Sequence, residues 1–220
     1  MKYTNNVEDI RKFFVKLYKE KIFSTDKTGQ KTIEIIPVSF LADEEIIFGK
    51  ENKKYIKAEI DWYKSMSTNI RDLPLESIPL AWSLTANKYG EVNSNYGKLT
   101  FSDKYFNQFN KVINELKENQ ETRRATMVYN RPSIWEEYQE NGKNDFICTN
   151  AVTYYIRSNT LHCVVQMRSN DVVYGYKNDY AWQSYILKLL AGLLEIQFGN
   201  IYWQVQNLHI YERHFEYLET

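Results

Sequence analysis

What is scarce in this sequence excludes several classes of protein. Net charge is absent, since 28 basic residues balance 28 acidic ones, whereas a sequence-independent nucleic-acid binder is expected to carry a basic excess. No apolar run approaches the roughly 20 residues of a membrane span, and the N-terminus lacks the apolar segment of a signal peptide. The chain is therefore predicted to be cytoplasmic, where its two cysteines, Cys148 and Cys163, are expected to remain reduced thiols.

What is present predicts an α/β fold. The 220 residues are 43% hydrophobic and 15% aromatic, which is enough for the core of a single domain over residues 1–220. Apolar periodicity alternates between helix and strand along the chain. The expected helices are Asn5–Lys21, Asn52–Ser67, Asp103–Glu118 and Asp179–Phe198, and the expected strands are Lys31–Pro37, Ala125–Asn130, Ala151–Arg157, Thr160–Met167 and Asn200–Tyr211.

Several finer features follow from the same patterns. Thr4 or Asn5 is expected to cap the first helix, and Ser102 the third, whose buried stripe would include Phe106. Residues 74–96 are expected to be mostly loop. Regular alternation over 200–211 would place Trp203, Val205, Asn207, His209 and Tyr211 on one face of a strand.

The stretch around Cys148 predicts a nucleophile. The strands Ala151–Arg157 and Thr160–Met167 are joined by a Ser158-Asn159 turn, and a tight two-residue turn fixes their register. That register places Cys148 opposite Ser169 and beside Arg168. A guanidinium next to a thiol lowers the thiol pKa and prepares a thiolate.

Glu59 interrupts the apolar stripe of the predicted second helix. It falls three residues after Ile56 and four before Tyr63, so its carboxylate shares their face. Such a carboxylate either reaches water at the helix edge or is desolvated with a raised pKa. The pattern alone favours the edge, because charged groups are seldom fully buried.

Other polar residues each allow two interpretations. Asp179 is either a helix N-cap or a side chain aimed at a ligand. Arg123 and Arg124 are either surface charges or, at the junction of a loop and a strand, a pair of cations sharing one site. His209 and Tyr211 offer two polar tips that suit a sugar hydroxyl, although a lone strand histidine is usually structural. The histidines and cysteines show no metal-ligand spacing, so we expect no metal site.

Taken together, Cys148, the run Arg168-Ser169-Asn170-Asp171, Gly175 and Asp179 resemble the active-site core of the thymidylate synthase family. The stretch MRSNDVVYGYKNDYAW is most similar to the phage deoxycytidylate hydroxymethylase branch of that family. The resemblance extends from Asp26 to His214. It implies a mixed, mostly antiparallel sheet flanked by helices, and a homodimer formed through the sheet face.

The resemblance also implies a reaction. Cys148 would attack C6 of the pyrimidine, Glu59 would act as general acid and base, and methylenetetrahydrofolate would supply a one-carbon unit to C5. The synthases carry a C-terminal tail that closes over folate, and its absence here favours water over hydride as the final reactant. Where the synthases place asparagine, this chain has Asp179, whose carboxylate can accept from the amino group of cytosine.

The binding residues implied by the resemblance fall into two sets. Those for the nucleotide are Lys27, Arg123, Arg124, Arg168, Ser169, Asn170, Asp171, His209 and Tyr211. Those for folate are Trp82, Asp171 and Gly175, although Trp82 could equally anchor the core. Arg123 and Arg124 would clamp the phosphate bound by the neighbouring subunit. Lys27 offers charge without the bidentate fork of an arginine.

Two other functions stay open from the sequence. One is a dUMP hydroxymethylase or a thymidylate synthase variant, which differs in base recognition. The other is a catalytically idle family member that binds RNA or serves in assembly. The neutral charge and the intact set of Cys148, Glu59, Arg168 and Asp179 argue against the idle protein. Contact with other nucleotide-synthesis enzymes is also left open.

Overall fold

The computed structural model describes residues 4–26 and 28–219. The helices are α1 (Val7–Lys19), α2 (Lys53–Ser65), α3 (Leu80–Thr85), α4 (Tyr96–Phe101), α5 (Gln108–Glu118), α6 (Ile134–Glu137) and α7 (Gly175–Leu193). The strands are β1 (Asn5–Asn6), β2 (Ser24–Thr25), β3 (Lys31–Ile35), β4 (Val38–Leu41), β5 (Thr126–Val128), β6 (Thr149–Arg157), β7 (Thr160–Met167), β8 (Asn170–Asp171), β9 (Gln197–Val205) and β10 (Leu208–Tyr211). In these ranges no helix combines the length and apolar character needed to cross a membrane.

Backbone packing divides the chain into two compact units. The first contains residues 1–51 and 156–220, and the second contains residues 52–155. Within the first unit, β1-β4-β9-β7 lie side by side in one sheet and β2-β3-β10-β8 form another. The pairs β7–β9, β1–β4 and β8–β10 are parallel, whereas β4–β9, β3–β10 and β2–β3 are antiparallel. The predicted mixed arrangement of strands and helices is confirmed.

Helix α7 is the main helix packed against β7 and β9. Its buried side chains include Trp182, Ile186 and Leu190, none of which is measurably exposed. Burying side chains of this size stabilises the unit by about 1.5–3 kcal/mol each. The helix that carries candidate recognition residues is therefore fixed to a sheet.

The first helix is capped one residue later than predicted. The side chain of Asn6 accepts from the backbone N–H of Asp9 at 3.1 Å, and the Asp9 carboxylate accepts from the Asn6 N–H at 3.0 Å. This reciprocal pair satisfies two donors at the helix start. The prediction of Thr4 or Asn5 as the cap was wrong.

The turn before β7 has the predicted geometry. Ser158 and Asn159 have φ of 51° and 57°, the left-handed conformation that both central residues of a type I′ turn require. Asparagine tolerates this conformation better than most residues. The structure confirms the tight turn and the bounds of β7, while the placement of Cys148 opposite Ser169 stays a prediction.

Residues 200–211 do not form one strand. Strand β9 ends at Val205, and Gln206 and Asn207 carry the chain from the first sheet into the second, where β10 begins. Odd-numbered residues are buried at the end of β9, but in β10 it is the even-numbered ones that are buried, leaving His209 and Tyr211 partly exposed. The predicted common face was wrong, because the change of sheet interrupts the two-residue period.

The second unit brings α2 and α4 unusually close together. A Cβ atom added at Gly97 would lie 1.8 Å from the backbone oxygen of Tyr63, so only glycine permits this approach. The ring of Tyr96 stacks on that of Tyr63 with centroids 5.3 Å apart. Helix α3 lies within the segment predicted to be mostly loop.

Helix α5 begins five residues later than predicted. Phe106 and Asn107 both have positive φ, which separates a short 3₁₀ turn at Asp103–Tyr105 from the helix proper. Asn107, not Ser102, caps the helix by accepting from the Asn110 N–H at 3.2 Å. Phe106 is 79% exposed, so its predicted burial was wrong.

Candidate active site

The candidate residues belong to both units. Glu59, Trp82, Cys148 and the two arginines are in the second unit. The run from Arg168 to Asp171, with Gly175, Asp179, His209 and Tyr211, is in the first. Lys27 lies outside the described residues.

Glu59 is buried on helix α2. Only 5% of the residue is exposed, so the pattern-based preference for a helix-edge position was wrong and the desolvated alternative is confirmed. Burial raises the pKa of Glu59 to about 7, while the Tyr55 hydroxyl and the nearby Trp82 indole oppose that increase. A carboxyl group with this pKa can both give and take a proton near neutral pH.

Tyr55 and Trp82 form a hydrogen-bonded chain that ends on Glu59. The Trp82 indole N–H donates to the Tyr55 hydroxyl at 2.9 Å, and the hydroxyl donates to Glu59 Oε1 at 2.5 Å. Trp82 packs edge-on against Trp62 with ring centroids 5.1 Å apart, and the Trp62 indole N–H donates to the backbone oxygen of Asn69 at 3.0 Å. The structure thus brings the two predicted residues, Glu59 and Trp82, together through a third.

Glu59→Gln is expected to stabilise the protein at alkaline pH. A folded-state pKa of about 7, against an ordinary 4.5, means that the folded state holds this proton more tightly than the unfolded state. Stability is therefore lost as pH rises from about 4.5 to about 7, by roughly 3 kcal/mol in total. Urea unfolding should show the variant more stable by roughly 2–3 kcal/mol near pH 8.5, with little difference near pH 4.

Glu136→Gln, at an exposed carboxylate of the same unit, provides the control and should leave this pH dependence unchanged. A difference between Glu59→Gln and the parent that does not vary with pH would contradict the assignment of a shifted pKa to Glu59.

The segment that carries Cys148 is anchored on both sides. Three residues before it, the buried Asp145 carboxylate accepts from the backbone N–H groups of Asn93 and Ser94 and from the Ser94 hydroxyl, at 2.6–2.7 Å. One residue after it, the Thr149 hydroxyl donates to the Tyr96 hydroxyl at 3.0 Å. Burial raises the pKa of Asp145, and the bonds from Ser94 and Asn93 oppose the rise. These contacts hold the backbone of Cys148 in place.

The two cysteines occupy different environments. Neither is in a disulfide, and Cys148 is partly exposed whereas Cys163 is buried. The Cys148 thiol donates to the backbone oxygen of Phe146 at 3.9 Å. Burial raises the pKa of the Cys163 thiol, which disfavours its thiolate at neutral pH. Of the two, Cys148 is the one that a substrate can reach.

Arg123 and Arg124 precede strand β5, which is shorter than predicted and begins at Thr126. The alternation of faces along a regular strand therefore does not separate them. Both are exposed, and Arg124 Nε donates to Glu115 Oε1 at 2.9 Å. The remaining nitrogens of its planar guanidinium offer further donors in the same fork.

The N-cap of α7 is Tyr174, whose side chain makes no capping bond. The Asp171 carboxylate accepts from the backbone N–H groups of Val173, Tyr174 and Gly175 at 3.1, 2.8 and 3.4 Å, near the start of the helix, where a negative charge is favoured. The helix begins at Gly175, so Asp179 lies in its second turn. The prediction that the helix starts at Asp179, with Asp179 as a possible N-cap, was wrong.

Asp179 is held by a second directed chain of bonds. The Trp203 indole N–H donates to Asn170 Oδ1 at 3.2 Å, and Asn170 Nδ2 donates to Asp179 Oδ2 at 2.8 Å. Asn170 is 4% exposed. A Cβ atom at Gly175 would lie 3.0 Å from Asn170 Nδ2, so the glycine leaves room for this amide. The structure brings Asn170, Gly175 and Asp179 together.

His209 and Tyr211 lie side by side on β10, with ring centroids 5.0 Å apart. His209 Nδ1 is 3.1 Å from Asn207 Oδ1, so Nδ1 donates and Nε2 is the acceptor in the neutral ring. Burial lowers the pKa of His209, and the charge of Asp171 opposes this. A neutral ring with this tautomer can accept a bond from a hydroxyl group. Arg168 and Ser169 are partly exposed.

Two contributors were missed by sequence reasoning. Tyr55 lies four residues before Glu59 on the same helix, a spacing from which their contact could have been found. Asn207 orients His209 from the segment that changes sheets, and no sequence pattern indicated it. Across residues 4–26 and 28–219, no cluster of three or more His, Cys, Asp or Glu side chains is arranged to hold a metal ion.

Comparison with known proteins agrees with this geometry. The family model described as thymidylate synthase matches residues 10–220. The chain belongs to the thymidylate synthase family. The match covers nearly the whole chain.

Curated members of this family differ widely in their sequence identity to this chain. Deoxycytidylate 5-hydroxymethyltransferases of Enterobacteria phages T4 and T2 are each 47% identical over 216 residues, covering 95% of this chain and 87% of theirs. The thymidylate synthase of Francisella tularensis subsp. holarctica is 26% identical over 219 residues, covering 92% of this chain and 80% of its own. The crystal structure of thymidylate synthase from phage T4 shares the fold, with a TM-score of 0.76, 21% identity, and coverage of 94% of this chain and 77% of that one.

Proposed function

We propose that this chain is a deoxycytidylate 5-hydroxymethyltransferase. It transfers a one-carbon unit from methylenetetrahydrofolate to C5 of dCMP and adds water, giving 5-hydroxymethyl-dCMP. The observation that carries the proposal is the 47% identity, over 95% of this chain, to phage relatives of that name. The acidic side chain of Asp179 and the buried carboxyl of Glu59 are chemically suited to this reaction.

Cys148 acts as the nucleophile. Carbon C5 of a pyrimidine reacts poorly with an electrophile, and addition of a thiolate at C6 converts it into an enamine-like carbon. Partial exposure of Cys148, and the anchoring of its segment through Asp145 and Thr149, support this role. The one-carbon unit of the folate bonds to C5, and a base removes the C5 proton as the carbon–nitrogen bond to tetrahydrofolate breaks, which leaves an exocyclic methylene at C5. After water adds to that methylene, the Cys148 thiolate leaves C6 and the ring double bond is restored.

Glu59 directs water to that methylene. Its carboxylate form can take a proton from water as oxygen bonds to carbon, and its acid form can return one. The pKa of about 7 produced by burial makes both forms available near neutral pH. The Trp82 side chain, fixed beside Tyr55, is assigned to the folate pocket.

Asp179 recognises cytosine. Its carboxylate accepts from the exocyclic amino group and can share a proton with N3, which makes C6 more electrophilic. Asn170 already donates to Oδ2, and a carboxylate has acceptor capacity beyond one such bond.

The remaining residues bind the rest of the two substrates. Arg168 and Ser169, together with Lys27, are assigned to the phosphate, and His209 and Tyr211 to the deoxyribose hydroxyl. Asp171, whose carboxylate accepts from backbone N–H groups just before α7, and Gly175 at the helix start are assigned to folate and the nearby nucleotide.

We further propose a homodimer in which Arg123 and Arg124 reach the phosphate bound by the partner subunit. Paired guanidiniums suit a phosphate because each offers two parallel donors. The exposure of both side chains supports this assignment. The setting we propose is the cytoplasm of a phage-infected bacterium, where the product would serve the synthesis of modified DNA.

The experiment that tests the function is tritium release from C5-labelled dCMP and dUMP, each with methylenetetrahydrofolate, with products identified by mass. Release from dCMP with formation of 5-hydroxymethyl-dCMP is expected. Turnover of dUMP alone would overturn the choice of cytosine while leaving the nucleophile in place. No release from either nucleotide, with a salt-sensitive shift of RNA mobility, would favour a non-enzymatic member of the family.

A further inference from the structure

The chain of bonds that ends on Glu59 runs in one direction only. An indole N–H is a donor without acceptor capacity, so Trp82 must donate to the Tyr55 oxygen at 2.9 Å. The phenol proton then points to Glu59 Oε1, 2.5 Å away. With the phenol proton in this position Oε1 is an acceptor, and a proton carried by Glu59 is on Oε2.

We propose that Tyr55 is a positioning residue that reserves Glu59 Oε1 as a hydrogen-bond acceptor and leaves proton transfer with water and substrate to Oε2. This inference rests on the proposed function, because it requires Glu59 to act as acid and base. Tyr55 itself touches the carboxyl group and not the reacting atoms.

The surroundings of Tyr55 make its direction of donation stable. Tyr55 and Glu59 are four residues apart on α2, one above the other on the same face. The donor at the other end, Trp82, is fixed by its edge contact with Trp62. Short hydrogen bonds to an ionised carboxylate are stronger than bonds between neutral groups. The phenol therefore favours the ionised form of Glu59.

Charged neighbours do not account for the behaviour of Glu59. Lys57 and Asp61, the charged residues nearest to it on α2, pair with each other at 2.5 Å on the exposed side. Helix α3 contributes Trp82, which is uncharged. Helix α4, which packs against α2, carries one charged residue, Lys98, whose interactions are with Lys104, Glu91 and Lys143. Burial and the hydrogen-bond chain are thus the effects to separate.

Tyr55→Phe removes the hydroxyl and keeps the ring. Burial of Glu59 is then no longer opposed by the phenol, so its pKa should rise by about one unit, the effect of one hydrogen bond to a charged group. In a plot of kcat for 5-hydroxymethyl-dCMP formation against pH, the midpoint of the acidic limb should move to higher pH by the same amount. We expect kcat at neutral pH to fall roughly fivefold and KM for dCMP to change less than about twofold, since the ground-state contacts of the nucleotide remain.

The matched control is Tyr89→Phe. Tyr89 is in the same unit, is 56% exposed, and has no place in the bond chain. The control should retain the parental kcat profile. Difference infrared spectroscopy of the Glu59 carboxyl stretch, assigned with Glu59→Gln, gives its pKa without reference to activity.

A second variant guards against misfolding of Tyr55→Phe. Replacing Tyr55 with 3-fluorotyrosine keeps the ring and hydroxyl but makes the phenol a stronger donor. The pKa of Glu59 and the acidic limb should then move down, opposite to the effect of Tyr55→Phe. A merely structural role for Tyr55 predicts no such opposed pair of shifts.

The outcomes separate the two proposals. An inactive Glu59→Gln with opposed shifts in the two Tyr55 variants supports both. If Glu59→Gln is inactive but neither the carboxyl stretch of Glu59 nor the acidic limb of the kcat profile moves in the Tyr55 variants, only the role of Tyr55 is overturned. If Glu59→Gln is active and keeps the acidic limb of the kcat profile, Glu59 is not the general acid and base, and the proposed role of Tyr55 is overturned as well.

Discussion

Cys148→Ala is expected to lower 5-hydroxymethyl-dCMP formation by at least about 10⁴-fold, the scale of losses seen when an enzyme nucleophile is removed. Without the thiolate, C5 never becomes enamine-like, and no later step can proceed. Binding of dCMP should persist within about threefold, because the contacts to base, sugar and phosphate come from other residues. Tritium release and equilibrium binding of dCMP measure the two effects separately.

Cys163→Ala is the matched control. Cys163 is buried on β7 and burial raises its pKa, so its loss should reduce stability by about 1 kcal/mol and leave turnover near the parental rate. Trapping with 5-fluoro-dCMP and methylenetetrahydrofolate should add nucleotide mass to Cys163→Ala and none to Cys148→Ala. Adduct formation that maps to Cys163 would refute the assignment of the nucleophile.

Asp179→Asn is expected to reverse the base preference. The Trp203 indole fixes the Asn170 amide with Nδ2 towards position 179. An asparagine at 179 must meet that donor with its oxygen, which turns its own NH₂ group outward as a donor. A donor matches O4 of uracil and opposes the amino group of cytosine. Activity on dCMP should fall by at least about 10³-fold, while activity on dUMP rises.

Asn178→Ala tests whether the neighbouring residue reads the base instead. Asn178 has a buried side-chain oxygen without a hydrogen-bond partner among the described residues. The variant should keep its preference for dCMP in competition assays with both nucleotides. If instead Asn178→Ala loses the preference and Asp179→Asn keeps it, recognition belongs to position 178.

Sequence reasoning succeeded where a local pattern and the final packing agree. The alternation of Val, Ile and Tyr over β7 reflects burial on a sheet, and the Ser158-Asn159 turn has the residues that a left-handed turn favours. The order of helices and strands followed from the same periodicities. The residues of the candidate site were named because they stand at the spacings of the thymidylate synthase family.

It failed where a distant contact outweighs the local pattern. Glu59 is buried because tertiary packing covers it and Tyr55 satisfies its oxygen, and periodicity cannot show either. The left-handed residues Phe106 and Asn107 delay α5 although the apolar period continues through them. Helix α7 begins at Gly175, next to N–H groups that the Asp171 carboxylate accepts, so the favoured cap residue at 179 misled the prediction.

The bonds from Trp203 through Asn170 to Asp179 also bear on how this chain can evolve. The residue at 179 is proposed to recognise the base. Whether it presents a donor or an acceptor to the base depends on which end of the Asn170 amide faces it, and the bond from Trp203 determines that end. A mutation at 203 or 170 would therefore alter the effect of a mutation at 179, which is epistasis among the three positions. A single substitution at 179 can therefore change the substrate only in a lineage that keeps the asparagine at 170 and the tryptophan at 203.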